Sequence, residues 1–296
     1  MFQRLLAKMT AQLVYTPPTV LFPDKKRMEK SLLKDFGLDV SVYDSWTREP
    51  LNICNGDYRI PAEIIRVPKQ RGVAVVCHGF GQNRHAMVRH AELLQKLGFS
   101  TILFDQRRFG LSKAPHGTLG WIEATDAAAM VHWVKEEMGE ATRIVLIGCS
   151  MGAITSMNAL RYTDQVDAVI EDAGPATMEQ VLDPFYANIS RKKNPYLHSA
   201  FIRAAEKAGV CMEDNRPIDA VAASDVPILC IGSQGDPLIP ASDAEKICAV
   251  SRNPLSRYEI FGDEPHALSI LDYDHYARTA TEFLNDTVPL QNKQAN

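Results

Sequence analysis

From residue 72 onward, short unbroken apolar runs alternate with segments of helical pattern. The runs are GVAVVCHGF (72–80), STILFD (100–105), RIVLIGCS (143–150), VDAVIEDA (166–173), VPILCIGS (226–233) and SRYEIFG (256–262). A strand buried on one face alternates apolar and polar residues, whereas a continuous aliphatic run is buried on both faces. Helices intervene, such as WIEATDAAAMVHWVKEEMG (121–139), GAITSMNALRY after residue 151 and HYARTATEFL (275–284). That alternation predicts the α/β class, with a mostly parallel central sheet covered by helices on both faces. Ahead of it, EPLNIC and YRIPAEIIRV flank the turn NGD, which reads as an antiparallel hairpin at the sheet edge.

One interval breaks the rhythm. Residues 174–225 are helical and polar, contain RKKN (191–194), and offer no strand. An insertion between strands of such a sheet usually covers their C-terminal ends, where ligands bind. The expected organisation is an N-terminal helical extension (1–47), a first core segment (48–173), a helical cap (174–225) and a second core segment (226–296).

A chain of 296 residues can bury a large core, and its net charge of −4 leaves no basic surplus for a phosphate backbone. Nucleic acid is therefore not an expected partner. The six cysteines form no C-x-x-C pair; Cys77, Cys149 and Cys230 sit in or beside strand-like apolar runs and read as small buried hydrophobes, not as a disulfide framework or metal site. At the N-terminus, Phe2, Leu5, Leu6, Met9 and Leu13 recur near helical spacing, with Arg4 and Lys8 among them. An amphipathic helix packed on the parent domain is expected, with attachment to a membrane surface the minority reading because its polar face carries only two basic residues. The segment falls short of the roughly 20 apolar residues of a membrane span, so stable membrane insertion is not expected and a cytoplasmic location is.

The segment GCSMG (148–152) places Ser150 between Gly148 and Gly152, where a buried strand passes into a helix. On a sharp strand-to-helix turn a nucleophile is exposed at the sheet edge, and its i−2 and i+2 neighbours must be small. The competing reading is a serine that caps the helix. An acyl-transfer site also needs a base, an orienting acid and oxyanion donors. The amide of Met151 follows the candidate nucleophile, and HGFG (78–81) follows an earlier strand, so the Phe80 amide is the second candidate donor. Gly79 and Gly81 let that backbone approach a substrate, and His78 reads as a structural support of the loop. Asp236 in QGDPLIP and His266 in DEPHALS each lie just past a strand end, in the chain order Ser, Asp, His.

With HGFG, FDQRRFGLS (104–112), GCSMG, GSQGDPLIP (232–240) and HALS (266–269), the chain resembles the α/β-hydrolase superfamily over roughly residues 48–285. Within it, the chain is most similar to the bacterial YqkD-like or serine-aminopeptidase-like hydrolases. The resemblance implies Ser150 as nucleophile, His266 as base and then acid, and Asp236 as orienting carboxylate. Asp172 in VIEDAG also ends a strand and is the alternative acid, as in some relatives; otherwise Glu171 and Asp172 face the cap or solvent. Many relatives carry D-x-R-G-x-G-x-S where this chain reads Asp105-Gln106-Arg107-Arg108-Phe109-Gly110-Leu111-Ser112, so pocket shape does not carry over from them.

The expected function is hydrolysis of small-molecule carboxylic esters through an acyl-enzyme, with no metal or organic cofactor. Peptide, amide or thioester hydrolysis on the same residues is the alternative. A peptidase would need an acidic pair for a substrate amine, with Glu179, Asp183, Glu206, Glu213 and Asp214 as candidates. A noncatalytic binding protein that retains the fold is the third reading. Oligomeric state is not encoded legibly, and a homodimer is one candidate assembly. The other histidines, His85, His90, His116, His132, His198 and His275, read as surface or helix-face residues.

Overall fold

The computed structural model describes residues 2–15, 24–181 and 196–290. Two helices, α1 (Phe2–Tyr15) and α2 (Lys25–Phe36), precede the hairpin of β1 (Glu49–Asn55) and β2 (Tyr58–Ile65). The alternating part follows as β3 (Gly72–Cys77), α3 (Val88–Lys96), β4 (Phe99–Phe104), α4 (Glu123–Met138), β5 (Ile144–Cys149), α5 (Met151–Ala159) and β6 (Ala168–Asp172). After the helical interval with α6 (Leu197–Lys207) and α7 (Pro217–Ala222) come β7 (Ile228–Ser233), α8 (Ser242–Val250), β8 (Arg257–Phe261) and α9 (Tyr273–Thr287).

The strands form one sheet in the order β1-β2-β4-β3-β5-β6-β7-β8. The hairpin pairs antiparallel with itself and with β4, and every pair from β4 to β8 is parallel. The α/β class and the edge hairpin read from the sequence are both present. Burial explains the unbroken runs: β3, β4, β5, β6 and β7 have every residue buried. Successive side chains of a strand point to opposite faces, so each run feeds two apolar layers. Val73, Val75 and Cys77 join α4, α5, α7 and α8 on one side. Ala74 and Val76 join α2, α3 and α9 on the other.

The sheet also dictates where a ligand can sit. From β3 the chain moves to β4 on one side, while its other neighbour β5 leads away to β6. The crevice at the C-terminal ends of β3 and β5 is therefore a topological switch point, the usual ligand site of open α/β sheets. The loop after β3 and the turn after β5 both open there.

The N-terminal extension divides between two neighbourhoods. Met28 and Leu32 of α2 pack into the sheet's apolar layer. Ala7, Ala11 and Tyr15 of α1 instead join a third apolar cluster with Ala200, Phe201 and Ala205 of α6. The Tyr15 hydroxyl reaches the Met212 sulfur at 2.7 Å, and the Tyr15 ring meets Phe201 edge-on. Helix α1 thus belongs to the layer above the sheet ends. Among the described residues, no helix is long and apolar enough to cross a membrane.

Candidate active site

Ser150 sits at φ 54°, ψ −117°, a conformation that a residue with a side chain rarely adopts. Its N–H donates to the Asp172 carbonyl at 2.8 Å, which fixes the turn against the end of β6. The flanking glycines are sterically required. A Cβ on Gly148 would lie 2.0 Å from the Gly152 carbonyl oxygen, and one on Gly152 2.0 Å from that of Cys77. No hydrogen bond from the Ser150 hydroxyl caps α5. The hydroxyl points instead at the loop after β8, with Oγ 2.7 Å from His266 Nε2.

His266 Nδ1 lies 2.6 Å from Asp236 Oδ2. The other Asp236 oxygen accepts the N–H groups of Leu238 at 2.7 Å and Ile239 at 3.0 Å, which locks the carboxylate in place. The Asp236 side chain is 1% exposed, against 23% for His266. The two loops are laced together: Ser233 Oγ donates to the Glu264 carbonyl at 2.6 Å, and Gly235 N–H to that of Gly262 at 2.9 Å. A carboxylate at Nδ1 selects the tautomer with its proton on Nδ1. Nε2 then presents a lone pair to the Ser150 hydroxyl.

The loop after β3 is held by His78, which is fully buried. Its Nε2 accepts the Gln106 N–H at 3.0 Å, so the ring proton sits on Nδ1 and bonds the Gly79 carbonyl at 2.8 Å. Burial pushes the His78 pKa below its ordinary value. With both nitrogens engaged and the ring neutral, His78 shapes the loop. Gly79 N–H bonds the Gln82 side chain at 3.0 Å, and Gly81 takes a left-handed φ of 76°. Phe109, next to Arg108 at the position that is small in the D-x-R-G-x-G-x-S pattern, is buried, with its ring edge-on to His78 and to Phe80. The altered D-x-R loop thereby buttresses the Phe80 segment. Its Asp105 accepts from Arg84 and from the Leu111 N–H, a structural anchor.

A cavity of about 250 Å³ opens over Ser150 and His266. Phe80 and Met151 border it from the sheet side, and Leu119, Met178, Phe201 and Leu238 supply much of the rest. Apart from Ser150 and His266, every described residue that lines it is apolar. Sequence reading did not single out Leu119, Met178, Phe201 or Leu238. Apolar residues in loops and on an amphipathic helix carry no signal that separates cavity wall from core. Of the acidic residues considered for an amine site, Glu179, Glu206, Glu213 and Asp214 are exposed and none lines the cavity. Asp183 and RKKN (191–194) fall outside the described residues.

Asp172 and Glu171 do not face solvent; both are fully buried, and Glu171 Oε2 accepts the N–H of Gly174, where the expected cap interval begins, at 2.8 Å. They end β6, whose two faces are covered by the helices of the flanking layers. Asp172 Oδ1 accepts the Ser269 hydroxyl at 2.9 Å, three residues beyond His266, while the His266 ring engages Asp236. His90 also departs from the surface reading: it is buried on α3, 3.5 Å from Cys149 Sγ and edge-on to Tyr276. Cys149 is core, as its place one residue before the turn implies.

Burial pushes the Asp172 carboxyl up to about 7, against the pull of Ser269 and His266. An acid raised in the folded state binds its proton more tightly there than in the unfolded chain. Its contribution to stability is full below about pH 4 and is lost as pH rises through about 7. Asp172→Asn removes that titration. Relative to wild type, the variant is expected to gain roughly 3–4 kcal/mol in unfolding free energy between about pH 4 and pH 8. Urea denaturation across that range reads the difference. A pH-independent difference would mean that Asp172 titrates as an ordinary carboxylate.

Comparison with known proteins agrees with this architecture. A family model described as alpha/beta hydrolase fold matches residues 73–213, which include the β3 loop and the Ser150 turn. The esterase Pf2001 of Pyrococcus furiosus superposes with a TM-score of 0.70 at 21% identity, over 86% of this chain and 94% of that one. The chain is an α/β-hydrolase-fold protein. Among curated sequences, the chain is 27% identical to the uncharacterized protein YqkD of Bacillus subtilis, over 72% of this chain and 70% of YqkD. It is 26% identical to the uncharacterized protein YfhR of Escherichia coli K12, over 76% and 75% of the two chains.

Proposed function

We propose that this chain of α/β-hydrolase fold cleaves carboxylic esters through a serine acyl-enzyme, beneath a roof to which α1 and α6 contribute. The observation that carries the reading is the unbroken relay Asp236–His266–Ser150, with bonds of 2.6 and 2.7 Å, at the floor of an apolar cavity. In this mechanism His266 Nε2 takes the hydroxyl proton as Ser150 Oγ attacks the substrate carbonyl. Asp236 keeps the imidazole in the required tautomer and stabilises the imidazolium that forms. The Phe80 and Met151 amides receive the developing oxyanion, each worth about 3 kcal/mol in sites of this kind. His266 then protonates the departing alcohol, and water repeats the sequence on the acyl-enzyme.

The lining favours esters over peptides. An apolar cavity accepts an acyl chain, and among the described residues no carboxylate lines it to hold a substrate ammonium. Its volume suits an acyl chain of short to medium length. Hydrolysis of p-nitrophenyl esters from acetate to long-chain acyl tests this. The expected profile rises from acetate to a medium-chain optimum and falls for the longest chains. No turnover of any ester by folded protein would contradict the reading.

A further inference from the structure

Helices α1 and α6 lie side by side, and two clefts open along their seam. One, of about 370 Å³, is lined by Lys8, His116, Arg203 and Lys207 among others. The second, of about 440 Å³, is lined by Arg4, Lys8, Tyr196, Ser199 and Arg203. Among the described residues, no carboxylate lines either cleft. Glu206, the acidic residue of α6, is exposed but lies outside both. Arg4, Lys8, Arg203 and Lys207 are all exposed, and among the described residues none of them forms an ion pair with an acid. Arg4 lies over the Tyr196 ring at 4.8 Å, and Arg203 donates to Ser199 Oγ at 3.2 Å. In a chain of net charge −4, four cations gathered on one seam make a local positive surface.

Beside these cations, α1 turns two large apolar side chains to solvent. Leu5 is 57% exposed and Met9, one turn on, is 55% exposed, while Ala7, Ala11 and Tyr15 are buried against α6 and its neighbours. A helix with one face packed and a basic, apolar outer face suits the boundary between lipid headgroups and acyl chains. At 14 residues it spans about 21 Å, too short to cross a bilayer core of roughly 30 Å. It can lie in the surface plane.

We propose that this face of α1 and α6 docks the protein on an anionic phospholipid bilayer. Leu5 and Met9 enter the headgroup boundary, while Arg4, Lys8, Arg203 and Lys207 pair with lipid phosphates. A soluble phosphate would use the cations and leave Leu5 and Met9 in water; a bilayer surface uses both. The same α6 that carries Arg203 and Lys207 outward places Phe201 in the cavity over Ser150. Docking therefore sets the cavity roof one helix away from the lipid. The inference holds whatever bond the site cleaves.

Co-sedimentation of the full chain tests it, with phosphatidylcholine vesicles and with phosphatidylcholine–phosphatidylglycerol vesicles. Wild type is expected to bind only the anionic vesicles, and less as salt is raised. Each cation near such a surface contributes about fivefold in partitioning. Lys8→Glu/Arg203→Glu, which also introduces repulsion, is expected to weaken binding by about 10² or more. Leu5→Ser/Met9→Ser is expected to weaken it about tenfold or more by removing apolar burial. Thermal melting should be unchanged in both variants, because the four side chains face solvent. Equal binding to neutral vesicles, binding indifferent to either pair of substitutions, or no binding at all would overturn the proposal. So would gel filtration that places Leu5 and Met9 in a contact between two copies of the chain, with no vesicle binding.

Discussion

Ser150→Ala is expected to lower kcat on the best p-nitrophenyl ester by about 10⁶, with the fold retained. The size follows from what the hydroxyl does in the proposed mechanism. It is the atom that attacks, and removing it leaves His266 with nothing to deprotonate except water. The oxyanion donors and the apolar cavity would survive, so a residual rate above that in water is expected. Folding should be little affected, because the Ser150 hydroxyl makes no cap bond to α5 and its N–H bond to Asp172 belongs to the backbone. Alanine does not relieve the positive φ of the turn. The variant inherits that strain without the reaction it serves. Activity close to wild type in folded Ser150→Ala would remove the serine from the chemistry.

Asp236→Asn is expected to lower kcat by about 10⁴ while leaving substrate binding and stability nearly intact. The direction in which the new amide must face sets the size of the effect. The Oδ1 position of residue 236 accepts two backbone N–H groups, from Leu238 and Ile239. An asparagine amide nitrogen placed there would meet two donors, so the carbonyl oxygen takes that side. The NH₂ group is then turned toward His266 Nδ1, 2.6 Å away in the wild type. It donates where the carboxylate accepted, and the imidazole is driven to the tautomer protonated on Nε2. That nitrogen can no longer take the Ser150 proton. A kcat loss without a matching rise in KM is the signature of this effect. A small loss would point to a base held without Asp236, and Asp172 is the carboxylate placed to help, through Ser269.

The relation between sequence and site is instructive at particular residues. The fold class was legible because strands buried on both faces can hardly avoid being aliphatic throughout, as VAVVC and IVLIGC are. Ser150, Asp236 and His266 could be named because each follows its own strand, and a parallel sheet brings strand ends together whatever the loops do. The glycines around Ser150 were legible for a steric reason, since carbonyl groups occupy the space any Cβ would need. Other features left no trace. The burial of His90, Glu171 and Asp172 depends on which helices cover which face, and local composition does not encode that. The pairing of α1 with α6 joins segments nearly 200 residues apart through alanines and one tyrosine, a pattern any packed helix could show. Phe109 read as a departure from the hydrolase pattern. Its role as a prop under Phe80 needed the ring geometry.

These points bear on what the cavity can select. Its floor is set by backbone turns and hydrogen-bonded loops. Its walls come from Leu119, Met178 and Phe201, which share one apolar cluster with Met151, and from Leu238, whose N–H is tied to Asp236. Packing of that kind tolerates hydrophobic exchange more readily than the floor tolerates any change. Substrate range should therefore shift with substitutions at Phe201 or Met178, while reaction chemistry stays with the three loops beneath.

Covalent labelling with a fluorophosphonate reads out whether Ser150 is a nucleophile activated by His266. The reagent is attacked only by an activated hydroxyl, and intact-mass and peptide analysis locate the adduct. The expected result is one adduct per chain, on the peptide that carries Ser150. It should be lost in Ser150→Ala and formed far more slowly in His266→Ala. An adduct on another residue, or equal labelling of wild type and His266→Ala, would contradict the account.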